Sequence, residues 1–210
     1  MKSEIYNVDC LEFMRKMPDK SVDLVLTDPP YGIDMNKPFG SYSREQVFDG
    51  DWDKEIPRKE YFDEIFRVSK DQVIFGGNYF TEFLPPTSGW ICWDKNNGDS
   101  TFGDGELIWH SQGGALRIKK VNWTGSSSLL EQTLGKVHPT QKPAEIMKYC
   151  ILKFPEAQTI FDPFMGSGTT GVACKMLNRN FIGCEISEKY FQIAKTRIEK
   201  QTEPMDLKFQ

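Results

Sequence analysis

Short apolar runs recur along this chain, each bounded by polar, glycine or proline residues. Residues 22–27, 72–75, 90–94, 106–110, 159–162 and 181–186 are too short for helices and rich in β-branched or aromatic side chains, so they predict strands. Residues 5–9 form a further candidate, a first strand ending at Asp9. Between these runs, apolar positions three and four apart mark helices. Over 10–17, Leu11, Met14 and Met17 share a face until Pro18-Asp19-Lys20 breaks the pattern. Residues 58–68 predict a second helix and 169–177 another. Pro143 suits a first helical position, with Ile146, Met147, Cys150, Ile151 and Phe154 behind it as the apolar face. Alternating strands and helices predict an α/β domain built on a mainly parallel sheet.

Two stretches fit neither period. Residues 32–57 are polar and contain glycine, with Phe39, Tyr42, Phe48 and Trp52 among charges. They leave the 22–27 strand directly, which suggests a mobile lid over a substrate, against the plainer reading of a surface loop. Residues 112–136 are rich in Gly and Ser and include the densest basic stretch, Arg117-Ile118-Lys119-Lys120. At 210 residues one domain, spanning 1–210, is expected.

Composition narrows the classes. With 39% hydrophobic residues and no run of about 18 apolar residues, a soluble chain without a membrane span is expected. The start of the chain lacks the apolar core of a signal peptide. Five cysteines without a CxxC pair, and only two histidines, argue for a reducing cytoplasm and against a metal site. The net charge of −4 disfavours a general nucleic-acid binder, but a local patch suffices for phosphate contacts. Arg117, Lys119 and Lys120 are the candidates for that role.

Chemistry concentrates at two places. Asp28-Pro29-Pro30-Tyr31 follows the 22–27 strand. The Asp28 carboxylate and the Pro29 carbonyl can both accept hydrogen bonds from one amino group, and the prolines stiffen the backbone that carries them. Tyr31 adds a flat aromatic face. The set suits a planar ring with an exocyclic NH2, such as adenine or cytosine; the bland alternative is a proline-stiffened turn. The second place is Asp162-Pro163-Phe164-Met165-Gly166-Ser167-Gly168-Thr169, a glycine-rich turn between a strand and a helix. Glu185 closes the following strand at the offset of about 20 residues where an acid meets ribose hydroxyls. The dinucleotide spacing is absent, as is a Gly-Lys-Ser/Thr phosphate loop. A nucleoside without pyrophosphate fits better.

With these residues in place, the chain resembles the amino-group DNA methyltransferases that use S-adenosylmethionine. Asp28-Pro29-Pro30-Tyr31 looks like their catalytic motif, and Asp162 to Gly168 like their cofactor loop. His138-Pro139-Thr140-Gln141-Lys142-Pro143 looks like the segment before that loop in the β class, where the catalytic motif precedes the cofactor motif. The match runs from about Ile5 to Arg197, and is nearest to small phage and prophage methylases.

The resemblance implies a Rossmann-like methyltransferase sheet of about seven strands, with one antiparallel edge strand and helices on both faces. It implies double-stranded DNA and S-adenosylmethionine as partners, no metal, and a possible homodimer. Asp28, Pro29, Pro30 and Tyr31 would be catalytic. Asp9, Asp28, Thr140, Lys142, Asp162, Pro163, Phe164, Gly166, Ser167, Gly168, Thr169 and Glu185 would hold the cofactor, with His138 ordering its loop. Larger members carry a longer recognition region; here 112–136, together with 32–57, must serve. Asp at position 28 favours adenine N6 as the target. Cytosine N4 is the alternative, and an inactive DNA-binding or regulatory homologue is the other.

Overall fold

The computed structural model describes residues 2–33, 54–98, 103–122 and 141–201. Eight strands form one sheet: β1 (Ser3–Tyr6), β2 (Val22–Thr27), β3 (Ser69–Phe75), β4 (Trp90–Asp94), β5 (Gly105–His110), β6 (Arg117–Lys120), β7 (Thr159–Asp162) and β8 (Asn180–Cys184). Their spatial order is β1-β8-β7-β2-β3-β5-β4-β6. Among the described residues five α-helices accompany them: α1 (Cys10–Met14), α2 (Lys59–Val68), α3 (Ala144–Leu152), α4 (Thr169–Met176) and α5 (Glu188–Lys200).

Strand alternation divides the core into two layers. Leu24, Leu26, Val73, Phe75 and Ile160 point to one face, where they pack with Ile146 and Cys150 of α3, Val172 of α4 and Ala194 of α5. Val25 and Phe161 point to the other, under Met14 of α1 and Ile65 of α2. Ile74 and Trp109 continue that second face beneath Phe62, Phe80 and Leu84.

The connections reverse between two neighbouring strands. From β2 the chain crosses by α2 to β3; from β7 it crosses by α4 to β8 on the opposite face and in the opposite direction along the sheet. β2 and β7 lie side by side, with Leu24 opposite Ile160 and Val25 opposite Phe161. Such a switch point opens a crevice at the carboxyl ends of the strands. Both chemistry-bearing turns leave from it.

Several expectations need correction. The eight strands among the described residues agree with about seven, but the reversed strand, β5, is internal: it pairs antiparallel with both β3 and β4. The edge beyond it is supplied by β6, which pairs parallel with β4. The first strand ends at Tyr6 because Asp9 caps α1, its Oδ1 accepting from Leu11 N at 2.8 Å and Glu12 N at 3.1 Å. α1 stops at Met14, and two tighter turns, Lys16 N to Phe13 O and Met17 N to Met14 O, lead into Pro18. β8 ends at Cys184, so Glu185 stands just past the strand.

Strands 22–27, 90–94 and 159–162 fall where the pattern puts them. Of the proposed lid, 34–53 lie outside the described residues, as do 123–136 of the proposed recognition segment. Among the described residues no helix is long and apolar enough to cross a membrane, and no group of acids, histidines and cysteines is placed to hold a metal ion. All five cysteines are free thiols.

Candidate active site

Asp28 emerges from β2 at the crevice. Its Oδ2 accepts from Lys142 Nζ at 2.7 Å, and its Oδ1 lies 2.5 Å from the Tyr31 hydroxyl. The same hydroxyl is 2.6 Å from Glu106 Oε1. Lys142 Nζ is also 3.2 Å from Glu106 Oε1, and Lys95 Nζ is 3.2 Å from Glu106 Oε2. Two carboxylates, two ammonium groups and one phenol thus form a single cluster. Burial pushes the Asp28 carboxyl above the ordinary carboxylate range, against the pull of Lys142, while the Glu106 charge adds to the rise. Glu106 itself is held below that range, because Lys142 and Lys95 together outweigh its burial.

The Tyr31 ring is seated by two neighbours. It stacks on Tyr79, with centroids 4.8 Å apart and planes within 11°. Gly76, at φ +62°, lies beneath it: a Cβ there would meet the ring at 2.3 Å, so only glycine admits Tyr31 in this position. Tyr31 is half-buried and Tyr79 is 42% exposed.

The glycine-rich turn is built from within. Asp162 Oδ1 accepts from the Thr27 hydroxyl at 2.7 Å and from Phe164 N at 3.1 Å, while Oδ2 accepts from the Thr170 hydroxyl at 2.6 Å. At 2% exposure, Asp162 ties β2 to the turn and to α4. Burial lifts that carboxyl to about 7 in spite of three donors.

Ser167 and Thr169 are buried beside Asp162. Arg197 of α5, itself buried, donates to the Ser167 carbonyl and hydroxyl at 2.5 and 2.8 Å and to the Thr169 hydroxyl at 3.2 Å. Gly168, at φ +80°, passes so close to α5 that a Cβ would sit 2.8 Å from that of Ala194. Pro163 is buried as well. Phe164 and Gly166 are the partly exposed residues of this turn.

Around Phe164 and Gly166 the acids gather. Glu185 Oε1 accepts from Ser187 N at 2.8 Å. Burial nevertheless raises the Glu185 carboxyl above its ordinary value. Asp9 keeps Oδ2 toward the Tyr61 hydroxyl at 3.5 Å, and the Tyr61 ring lies 5.9 Å from that of Phe164. Glu185, Asp9 and Phe164 therefore share one side of the crevice, and Asp28, Tyr31 and Lys142 the other. A cationic nucleoside fits this acid-rimmed space: Glu185 offers an acceptor for a ribose diol, and Phe164 an apolar face.

Lys142, a candidate cofactor contact, pairs with Asp28, another of those candidates. Thr140 and His138 lie outside the described residues. The three basic candidates are not brought to the crevice. They sit on edge strand β6, and alternation parts them: Arg117 and Lys119 stand opposite Ile91 and Trp93, and Lys120 opposite Asp94. Lys119 reaches Glu145 of α3 at 3.8 Å and lies 5.4 Å from the Tyr149 ring.

Glu106, Lys95, Tyr61, Tyr79 and Arg197 were not singled out in the sequence. None belongs to a local motif. The reversal of β5 was the available clue to Glu106, since a reversed strand starts where its parallel neighbours end.

A doubly wound sheet with Asp28 and an acid-flanked glycine turn on adjacent strands is the arrangement expected of a methyltransferase that uses a nucleoside cofactor. Residues 86–196, just over half of the chain, match the family model described as DNA methylase, and the chain belongs to that family of S-adenosylmethionine-dependent enzymes. It is 29% identical to the Type II methyltransferase M2.DpnII of Streptococcus pneumoniae, over 96% of this chain and 91% of that one. With the Type II methyltransferase M2.MboI of Moraxella bovis it shares 28% identity, over 94% and 88% of the two chains. Among solved structures, the M1.HpyAVI–SAM complex superposes with a TM-score of 0.59 at 24% identity, covering 93% of this chain and 99% of that one. The cytosine-N4-specific PvuII DNA methyltransferase gives 0.64 at 17% identity, covering 100% and 89%. These likenesses bear on the fold.

Proposed function

We propose that this chain methylates the N6 amino group of adenine at specific sites in double-stranded DNA. The observation that carries the reading is the Thr27–Asp162 hydrogen bond, which locks the strand end bearing Asp28 to the turn that would hold the methyl donor. Asp at position 28 supports adenine over cytosine.

The bound cofactor supplies an electrophilic methyl group on sulfur. The protein's part is to aim and activate the amine. The adenine nitrogen is a poor nucleophile because its lone pair is delocalised into the ring. Asp28 and the Pro29 carbonyl accept its two hydrogens, which localises the lone pair along the line of attack. As the nitrogen gains the methyl group it becomes acidic, and its proton passes to the Asp28 carboxylate. A duplex hides this nitrogen, so the base must flip out. Tyr31, backed by Tyr79, offers it a stacking surface, for about 1–3 kcal/mol.

In the same reading Glu185 takes the ribose hydroxyls and Asp9 the cofactor's adenine amino group. Phe164 and Gly166 line the cofactor, with Pro163 and Gly168 shaping the turn, and Thr140 and Lys142 lie beside it. Arg117, Lys119 and Lys120 supply phosphate contacts, and 112–136 reads the site. A homodimer and a cytoplasmic location complete it. The free thiols agree with a reducing compartment; the dimer rests on family resemblance and is checked by light scattering.

The test is incubation with labelled S-adenosylmethionine and unmethylated duplex DNA, followed by nucleoside mass spectrometry. N6-methyladenine is expected. N4-methylcytosine would move the target, and no modified base despite cofactor binding would sink the reading.

A further inference from the structure

Glu106 stands outside every motif, yet its carboxylate lies in the middle of the charged cluster. The reversed strand explains why. Because β5 runs against β3 and β4, its first residues meet the carboxyl edge of the sheet, with Glu106 opposite Trp93 near the end of β4. There Glu106 faces the Tyr31 hydroxyl at 2.6 Å, Lys142 at 3.2 Å and Lys95 at 3.2 Å. Asp28 faces Tyr31 and Lys142, with the Asp162 carboxylate behind it across Thr27.

The geometry sets a proton count. A phenol carries one proton, but its oxygen makes two short contacts to carboxyl oxygens, at 2.5 and 2.6 Å. Both contacts are hydrogen bonds only if one carboxyl carries a proton of its own. Glu106 has two ammonium groups within 3.2 Å, whereas Asp28 has one at 2.7 Å. Of the two acids, Asp28 is therefore the one that holds a proton more readily, with Tyr31 then donating to Glu106; Asp28 must release that proton before it can accept the target amine.

We propose that Glu106 is a positioning residue for methyl transfer: acting through the Tyr31 hydroxyl and the shared Lys142, it keeps Asp28 a strong acceptor for the target amine. Two like charges sharing one cation each take less of it, and a fixed negative charge next door makes the other carboxylate hold a proton more tightly. The inference rests on the function proposed above, since it assigns Asp28 the amine.

Two readouts separate its failure from a failure of that function. The first needs no substrate: the Asp28 carboxyl is titrated by carbon-13 NMR in the wild type and in Glu106→Gln. Its midpoint is expected to fall in the variant. An unmoved or higher midpoint overturns the inference whatever the enzyme does to DNA. The second is the pH profile of kcat/KM on duplex DNA. Glu106→Gln should be about tenfold slower on the plateau, with the acidic limb displaced to lower pH, so the variant is slower but more tolerant of acid. A loss of rate with an unmoved limb marks a merely structural role and overturns the inference.

Glu106→Asp keeps the charge and should keep the limb. If Glu106→Gln does not fold, Lys95→Met removes a cation facing Glu106, and the midpoint should then rise; a fall or no change overturns the inference. A shifted midpoint in an enzyme whose wild type methylates no base would leave the coupling standing and discard the functional reading.

Discussion

Two aspartates end two adjacent strands of this sheet, and they are held in opposite ways. Asp162, the last residue of β7, is enclosed by neutral donors: two threonine hydroxyls and one backbone amide. Asp28, after β2, is held by an ammonium group and by a hydroxyl it shares with a second carboxylate. Neutral donors from three segments make a brace, since each bond fixes a piece of backbone. A shared, charged cluster leaves an acid whose proton can move. Sequence alone presents the two as equivalent Asp-Pro turns; their partners, drawn from across the chain, set them apart.

The largest effect should come from Asp28→Ala. Methylation should fall by at least about a thousandfold, while calorimetry shows S-adenosylmethionine still bound. Retained turnover would remove the role assigned to Asp28. Asp162→Ala should act on folding instead. Two buried hydroxyls and an amide lose their acceptor, so stability should drop by about 2–4 kcal/mol in denaturant titration.

The pH dependence sharpens the contrast. A buried carboxyl raised to about 7 binds its proton more tightly folded than unfolded. Its contribution is therefore fully present below the unfolded value near 4 and is lost as pH rises toward 7. The stability difference between the wild type and Asp162→Asn should accordingly shrink over that window; a difference that grows with pH would mean the acid is ionised in the fold.

Glu185→Ala should weaken cofactor binding by about tenfold in calorimetry, the value of one or two hydrogen bonds to a charged group. Unchanged affinity would dismiss the ribose assignment. The smallest effects belong to β6. Lys120→Ala should reduce the salt slope of DNA binding by about 1. Lys119→Ala should reduce it less, because Glu145 already partners that lysine. Equal slopes would mean that the side of the strand is irrelevant.

Much of the fold was legible because its signals are local. The 22–27 run carries its own burial pattern, and Pro143 its own helix start. The glycine turn and the Asp-Pro-Pro-Tyr turn announce themselves by backbone demands that few residues meet. What escaped was pairing at long range. Nothing adjacent to Glu106 says that it will meet Tyr31, 75 positions away. Nor does anything beside Ser167 and Thr169 say that Arg197, from α5, will reach both hydroxyls. The basic run reads as one patch in one dimension, and the pleat divides it. The antiparallel strand could be expected from the family resemblance, but its internal place depends on β6, whose short polar run carries little strand signal.

The pairing of β1 with β8 also has a consequence for the life of the nascent chain. Lys2 donates its backbone amide to Asn180, 178 positions later, and Ser3 lies opposite Phe181. At a synthesis rate of roughly 5–20 residues per second, the first strand waits on the order of ten to forty seconds for its only neighbour in the sheet. Through that interval the ribosome displays an unpaired edge, and the half of the crevice bearing Glu185 does not yet exist. The partner of β1 and the Glu185 side of the crevice are thus completed together, once residues 180–185 have been made.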